Sequence, residues 1–144
     1  MILIDTNVLI HFARSTDPKY AIVDAAIQAL SRQYKALNIV SQNLYEFWST
    51  ATRPVSSNGL GLTIPECVHA IDRVERLFPL LPDQPTLLSE WKSVVVTHKC
   101  QGKTAHDARL VAAMRIHGLT GILTFNVADF RRYADITIID PAAF

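Results

Sequence analysis

The strongest constraint on the fold is a carboxylate placed inside the apolar run that opens the chain. Residues 2–4 are Ile, Leu and Ile, followed by Asp5, without the polar alternation of a half-exposed strand. Such a run is typical of a strand covered on both faces of a parallel sheet. A buried acid is destabilising unless it is hydrogen-bonded, paired or bound to a cation, so other groups must compensate Asp5. Asp5, Thr6 and Asn7 are also good N-cap residues for a helix that begins at Val8.

Composition limits the class of protein. The chain has 144 residues, of which 49% are hydrophobic and 19% charged, as expected for a single globular domain over residues 1–144. A formal net charge of +1 excludes a strongly basic nucleic-acid binder but allows a local basic patch. Cys67 and Cys100 form no C-x-x-C motif, and no apolar run has the length of a membrane span. We therefore expect a soluble protein of a reducing cytoplasm, without a membrane partner.

Segments with the patterns of strands and helices alternate along the chain. Apolar runs predict strands at residues 2–5, 37–40, 80–81, 122–124 and 136–139. Asp17-Pro18 predicts a helix start, and Thr104 to His117 a helix capped by Gly118. Helical spacing predicts these further buried stripes: Ile22, Ala25, Ala26, Ala29 and Leu30; Leu44, Phe47, Trp48 and Ala51; Val68, Ile71, Val74, Leu77 and Phe78; Leu87, Leu88, Trp91, Val94 and Val95. The alternation predicts an α/β fold, a three-layer α/β/α sandwich with a mostly parallel sheet.

Four acidic residues are placed where they could meet at the carboxyl ends of the strands, the edge at which such sheets bind ligands. Asp5 and Asp129 follow strands, whereas Glu46 and Asp107 lie early in helices. Carboxylates gathered in one place raise one another's pKa unless cations are present. Oxygen ligands without a Cys or His cluster favour Mg²⁺ or Mn²⁺ over zinc. A site of this kind can hydrolyse a phosphodiester.

Each of these acids also has a structural interpretation. Asp107 lies three residues after Thr104, the spacing of a capping box, but it shares a helical face with apolar residues, which favours function. Glu46 lies opposite the apolar stripe of its helix and three residues after Asn43, so periodicity alone favours a solvated or capping residue. Asp129 could equally cap the turn that precedes it. Asp5 is the acid that a structural role explains least well.

Four segments resemble the motifs of PIN-domain ribonucleases, and in particular of VapC-type toxins of toxin–antitoxin pairs. The segments are Leu3–Ile10, Ser41–Phe47, Thr104–Ala108 and Leu123–Phe130. They occur in the order found in the family and are spread over nearly the whole chain. Their combination is more specific than any single motif, and it favours a functional role for Glu46 over a capping role.

The resemblance implies a metal-dependent endoribonuclease in which one or two Mg²⁺ or Mn²⁺ ions activate water for attack on RNA. The catalytic acids and metal ligands would be Asp5, Glu46, Asp107 and Asp129. The side chains supporting them would be Asn7, Thr124 and Asn126. Many relatives carry an acid at the position of Asn126, so either Asn126 or Asp129 could supply the fourth metal contact. The resemblance also implies a homodimer and a small cognate antitoxin as partners.

Three basic residues, Arg53, Lys103 and Arg131, are the candidates for contacts with the RNA backbone. Two other functions stay open at this point. One is a haloacid-dehalogenase-like phosphatase with Asp5 as its nucleophile, although Asn7 stands where that chemistry typically needs a second Asp. The other is a non-catalytic RNA- or antitoxin-binding module whose acids are structural.

Overall fold

A single parallel sheet forms the centre of the molecule. The computed structural model describes residues 1–34 and 36–144. Its strands are β1 (Ile2–Ile4), β2 (Leu37–Val40), β3 (Leu80–Leu81), β4 (Gly121–Leu123) and β5 (Thr137–Ile139). They lie in the order β3-β2-β1-β4-β5, and in the described residues every neighbouring pair is parallel. The predicted α/β fold is confirmed, and its sheet is more uniformly parallel than the sequence required.

Helices follow the strands in the predicted alternation. They are α1 (Thr6–Phe12), α2 (Tyr20–Gln33), α3 (Ser41–Thr52), α4 (Ile64–Leu77), α5 (Leu87–Thr97), α6 (Thr104–His117) and α7 (Val127–Phe130), with short 3₁₀ turns at Val55–Ser57 and Pro141–Ala143. Gly118 ends α6 at φ 68°, a left-handed conformation that glycine adopts readily. Among the described residues, no helix is both long and apolar enough to cross a bilayer.

The two faces of the sheet each bury an apolar core, and β1 contributes to both. Ile2 and Ile4 pack with residues of α1 to α4, whereas Leu3 packs with residues of α5, α6 and α7. All three side chains are at most 1% exposed. This arrangement explains why the first strand is apolar without alternation, because neither of its faces meets water.

The predicted buried face of α2 is partly wrong. The helix buries Val23, Ala26, Ile27 and Leu30, while Ile22 is 41% exposed. The Ala-rich sequence offers two adjacent stripes at helical spacing, and packing against the sheet selects the one that carries the larger side chains. Asp17 does not cap this helix, whose N-cap is Lys19 without a side-chain hydrogen bond.

Three predicted core positions on later helices are exposed instead. Val68 and Leu77 of α4 are 43% and 51% exposed, and Leu88 of α5 is 61% exposed. In α4 the buried positions are Cys67 and Val74. These helices cover the sheet with a narrower stripe than their apolar content suggested, because only residues on the inward face reach the core.

Candidate active site

Asp5 lies at the carboxyl end of β1 and caps the N-terminus of α1. Its Oδ1 accepts a hydrogen bond of 2.7 Å from the Thr6 backbone N–H. Its Oδ2 accepts from the Thr124 hydroxyl at 2.7 Å and from the Asn7 amide at 3.0 Å. The residue is 5% exposed, so neutral donors satisfy a nearly buried carboxylate. The sequence-based expectation that other groups must compensate Asp5 is met by these three bonds.

The ionised form of Asp5 is nevertheless less favoured than that of an aspartate in water. Burial raises the pKa of Asp5 from its ordinary value of 3.8 to about 6, against the opposing hydrogen bonds from Thr124 and Thr6. The nearby negative charges of Glu46 and Asp107 raise this pKa further. A cation placed beside these carboxylates would relieve both effects, since an opposite charge favours the ionised form.

The register of β1 with β4 brings the supporting residues to Asp5. Ile4 pairs with Leu123, so Thr124 follows β4 at the level at which Asp5 follows β1. The Thr124 hydroxyl also accepts from the Asn7 amide at 3.2 Å and from the Asn126 backbone N–H at 2.9 Å. Asn7 and Thr124 therefore contact Asp5 directly, whereas Asn126 is joined to this network through its main chain.

Glu46 is positioned by a residue that the sequence did not single out. Its Oε1 accepts a hydrogen bond of 2.6 Å from the amide of Gln42, one turn earlier in α3. The same amide nitrogen donates to the His106 backbone carbonyl of α6 at 2.9 Å, and its oxygen accepts from Arg109 at 3.0 Å. Gln42 is 6% exposed, so this bridge fixes the distance between α3 and α6 at the site. The spacing of four residues between Gln42 and Glu46 was the available signal.

The capping interpretation of Glu46 is wrong. Asn43, its proposed capping partner, instead accepts a hydrogen bond of 2.9 Å from the Val40 backbone N–H. The Asn43 amide also donates to the Thr6 hydroxyl at 3.3 Å. Asn43 is fully buried and ties the start of α3 to the start of α1. Glu46 is left free of a structural role at the helix end.

Asp107 occupies the first turn of α6 and is partly buried. Burial raises its pKa to about 6, and repulsion from Asp129 and Glu46 adds to the rise. The charges of His106 and Arg132 act in the opposite direction. Its side chain makes no hydrogen bond to any residue that the structure describes. Unlike Asp5, Asp107 therefore has no hydrogen bond from the described residues to orient its side chain.

The capping interpretation of Asp107 is also wrong. The N-cap of α6 is Lys103, which makes no side-chain capping bond. The Thr104 hydroxyl instead donates to the Gln101 carbonyl at 2.8 Å and accepts from the Gln101 N–H at 2.9 Å. Asp129 likewise does not cap α7, which has no side-chain capping bond, and it stands exposed near Asp107.

These residues line an open groove at the carboxyl edge of the sheet. One depression of about 390 Å³ is lined by Asp5, Thr6, Asn7, Ile10, His11, Glu46, Ser49, Thr50, Asp107 and Asn126. A second, of about 400 Å³, is lined by Glu46, Lys103, Thr104, His106, Asp107, Asn126 and Asp129. The two depressions share Glu46, Asp107 and Asn126, which places all four acids along one continuous groove.

The predicted backbone-binding residues are distributed unevenly around this groove. Lys103 lines the second depression. Arg53 donates a hydrogen bond of 3.0 Å to the hydroxyl of Thr50, which lines the first depression, so Arg53 lies just outside the wall. Arg131 is exposed at the end of α7 and lines neither depression.

The donor set of the groove suits a hydrated divalent cation. In the described part of the chain, no three His, Cys, Asp or Glu side chains stand close enough to enclose a metal ion. Mg²⁺ does not require such an enclosure, because it usually retains several waters and takes one or two carboxylates directly. Asp5, Glu46 and Asp107 offer hard oxygen ligands, and a cation beside them would oppose the effects of burial and repulsion that raise the pKa values of Asp5 and Asp107.

The molecule is thus a parallel α/β sheet with acidic residues along a groove at its carboxyl edge. The sequence profile of the PIN domain family matches residues 2–136, and the chain belongs to this family. A comparison with curated protein sequences gave no match. The family resemblance predicted from the four motifs is confirmed.

Solved structures of toxin–antitoxin proteins share this fold. FitAcB from Neisseria gonorrhoeae is 20% identical over 100% of both chains, with a TM-score of 0.70. VapBC-1 from nontypeable Haemophilus influenzae is 17% identical over 98% of both chains, with a TM-score of 0.72. VapC20 from Mycobacterium tuberculosis, a sarcin-ricin loop cleaving toxin, is 15% identical over 85% of this chain and 87% of its own, with a TM-score of 0.62. At these identities the likeness shows the fold.

Proposed function

We propose that this protein is a Mg²⁺- or Mn²⁺-dependent endoribonuclease and the toxin of a toxin–antitoxin pair, built as one nuclease domain over residues 1–144. The observation that carries the proposal is the groove onto which Asp5, Glu46 and Asp107 converge. Two of these acids have pKa values raised to about 6, as expected where a cation is needed to balance charge. Membership of the PIN domain family and the fold shared with an RNA-cleaving toxin support the same activity.

In this proposal Asp5, Glu46 and Asp107, with Asp129 or Asn126 as the fourth contact, would hold a hydrated metal, one or two of them directly and the others through its waters. When bound, a divalent cation lowers the pKa of water and stabilises negative charge on the phosphodiester. The hydrogen bonds from Thr6, Thr124 and Asn7 keep the Asp5 carboxylate in one orientation.

The donors around Asp5 are all neutral, and this has a functional consequence. A backbone amide, a hydroxyl and a side-chain amide orient the carboxylate without cancelling its charge. A lysine or arginine in any of these places would form an ion pair and compete with the metal. The pattern is that of a metal ligand rather than of a structural ion pair.

The two alternative functions have weaker support. The phosphatase alternative needs an acid or base two residues after Asp5, but Asn7 has an amide that does not titrate. Its side chain is also engaged with Asp5, Thr124 and the Phe125 backbone N–H at 3.0, 3.2 and 3.2 Å. A non-catalytic module gives no reason to keep three carboxylates in an open groove at the expense of stability.

We further propose that an antitoxin holds the protein inactive and that it forms a homodimer in the cytoplasm. Structures with this fold include a toxin–antitoxin complex from Klebsiella pneumoniae and VapBC2 from Rickettsia felis bound to a DNA fragment from the promoter. Leu88 and Val96 of α5 are 61% and 77% exposed, and we propose them as contacts with a second copy. Light scattering on the purified chain checks the dimer, and co-purification with the neighbouring gene product checks the antitoxin.

The decisive experiment measures RNA cleavage by the purified protein with and without metal. We expect total cellular RNA to be cut in Mg²⁺ or Mn²⁺ and to stay intact in EDTA. Asp5→Asn should lower the rate roughly a thousandfold with the fold preserved, because a charged ligand is replaced by a neutral one of the same shape. Asp72→Asn, a change at an exposed acid of α4, is the matched control and should cut normally. A folded Asp5→Asn protein with near-normal cleavage would overturn the mechanism.

A further inference from the structure

A histidine–aspartate pair stands on the wall of the groove and has no part in the site described above. His11 lies four residues after Asn7 in α1, on the same face of the helix, and lines the depression that contains Asp5. Its Nδ1 lies 2.9 Å from Oδ1 and 3.0 Å from Oδ2 of Asp17. The Asp17 side chain is 8% exposed, whereas that of His11 is 28% exposed. The aspartate is thus the buried support and the histidine the accessible group.

Asp17 is built to remain charged. It accepts a hydrogen bond of 2.8 Å from the Lys19 backbone N–H. Although burial opposes ionisation, this bond and the contact with His11 hold the pKa of Asp17 below its ordinary value. An ionised carboxylate against Nδ1 fixes the imidazole ring and assigns the Nδ1 proton to that side. The opposite ring nitrogen, Nε2, makes no hydrogen bond to any residue that the structure describes.

The groove gives a reason for a cation at this position. Of the ten residues that line the first depression, three are acids, and His11 alone can carry positive charge. An RNA phosphate is an anion, so the carboxylates repel it wherever no positive charge intervenes. The second depression has its own cationic residue, Lys103, at the other end of the groove. Glu46, Asp107 and Asn126, which line both depressions, lie between His11 and Lys103.

A lysine stands beside His11. The His11 ring packs edge-on against the ring of Phe125, with centroids 5.5 Å apart. The Lys19 ammonium lies 4.6 Å from the centre of the same ring. Phe125 follows Thr124 in the chain, and its N–H donates to Asn7, so His11 and Lys19 both contact the framework that holds Asp5.

We propose that His11, positioned by Asp17 and assisted by Lys19, binds a phosphate of the RNA strand next to the bond that is cleaved. When a phosphate is bound, His11 donates from Nδ1 to Asp17 and from Nε2 to a phosphate oxygen, a charge-assisted hydrogen bond. With Lys103 at the far end, the RNA backbone crosses the acids between two cationic contacts. The inference rests on the proposed function, since its ligand is the backbone of the proposed substrate.

The test is equilibrium binding of a short fluorescein-labelled single-stranded RNA in EDTA, where no cleavage occurs. We expect His11→Gln to weaken binding about tenfold at low salt, the loss of one charged hydrogen bond. The slope of log affinity against log salt should also fall by about 0.7, the value for one phosphate contact on a single strand. Asp17→Asn should change the affinity and the slope in the same direction as His11→Gln but by less. The ring keeps a hydrogen-bond partner at residue 17, but that partner no longer carries a negative charge. His69→Gln, a change at an exposed histidine of α4 away from the groove, should change neither.

The salt slope separates a phosphate contact from a structural role, which would lower the melting temperature without altering the slope. If His11→Gln does not fold, Asp17→Asn and Lys19→Gln carry the same test. Variants that bind RNA with the affinity and slope of wild type, while wild type cleaves RNA in Mg²⁺, would overturn the role of His11 alone. A wild-type protein that neither binds nor cleaves RNA would overturn the proposed function and this inference with it.

Discussion

The two ends of the acidic groove reach a similar electrostatic state by different means. Asp5 and Asp107 both have a pKa raised to about 6, and burial is the largest cause at each. Around Asp5 the other contributions are mainly hydrogen bonds from neutral groups, which oppose the rise. Around Asp107 they are charges, with Asp129 and Glu46 raising the pKa and His106 and Arg132 lowering it.

The different surroundings of Asp5 and Asp107 indicate that the two ends of the site have different roles. Asp5 is held in place by three hydrogen bonds before any ligand arrives, so it can serve as the fixed point of the metal site. Asp107 and Asp129 belong to a more open region where like charges repel and the described residues offer their side chains no hydrogen bond. A cation should therefore change the Asp107 end more than the Asp5 end.

Glu46 stands between the two ends, and its removal should affect both of them. Glu46→Gln keeps a side-chain oxygen that can accept from Gln42 but removes a charge that acts on both Asp5 and Asp107. We expect cleavage at saturating Mg²⁺ to fall roughly a hundredfold, with less than about 1 kcal/mol change in the free energy of unfolding. Single-turnover cleavage and urea denaturation measure the two quantities.

Glu75→Gln, at an exposed glutamate of α4, is the matched control for this substitution. It should leave the rate unchanged. A Glu46→Gln protein that cleaves like wild type would show that the two ends work without the residue between them. The site would then consist of Asp5, Asp107 and Asp129.

Asp5→Asn should also alter stability in a pH-dependent way. The folded-state pKa of Asp5, about 6, lies above its ordinary value of 3.8, so the folded protein binds the proton more tightly than the unfolded chain. The stabilisation from this proton is complete below about pH 3.8 and is lost as the pH rises through about 6. Without metal, ionised Asp5 therefore lowers the free energy of unfolding of wild type by up to about 3 kcal/mol at neutral pH. The Asn variant lacks this destabilisation.

We expect Asp5→Asn to be more stable than wild type by about 2 kcal/mol at neutral pH in EDTA, since the amide recovers only part of the hydrogen bonding. The difference should shrink as the pH falls below the raised pKa. Taking the difference between the two proteins removes the opposite contributions of Asp17 and Asp135, whose pKa values are lowered. Chemical denaturation across this pH range checks the expectation. A variant less stable than wild type at neutral pH would mean that hydrogen bonding at Asp5 outweighs its burial.

The sequence was sufficient for those parts of the fold that depend on local patterns. The unbroken apolar run at β1 predicted a doubly covered strand, because its burial on both faces leaves no place for polar alternation. The acids at the ends of β1 and β4 could be placed at one edge, because parallel strands share their direction. The buried face of α2 could not be fixed, since its alanines fit two neighbouring stripes.

The parts of the candidate site that escaped prediction depend on contacts between distant segments. Gln42 donates to a carbonyl 64 residues away, and the ring of His11 packs against the ring of Phe125. Local spacing linked Gln42 to Glu46 and His11 to Asn7, but it could not show what lies opposite either side chain. Such partners become visible only when the register of the sheet and the packing of the helices are known.

The smallest expected effect tests the open end of the groove directly. Millimolar Mg²⁺ or Mn²⁺ should raise the melting temperature of wild type by about 5 °C, because a ligand at ten times its Kd stabilises the folded chain by about 1.4 kcal/mol. This metal-induced rise in melting temperature should fall to near zero in Asp107→Asn, because a cation is expected to act mainly on the like-charge repulsion at the Asp107 end of the groove. It should fall only partly in Asp129→Asn, since Asp129 is exposed and lies on the outer side of Asp107. Asp72→Asn, at an exposed position outside the groove, should keep the full rise. Equal rises in wild type and Asp107→Asn would place the cation at the Asp5 end alone, and a wild-type melting curve that does not respond to metal would count against a metal site formed by these acids.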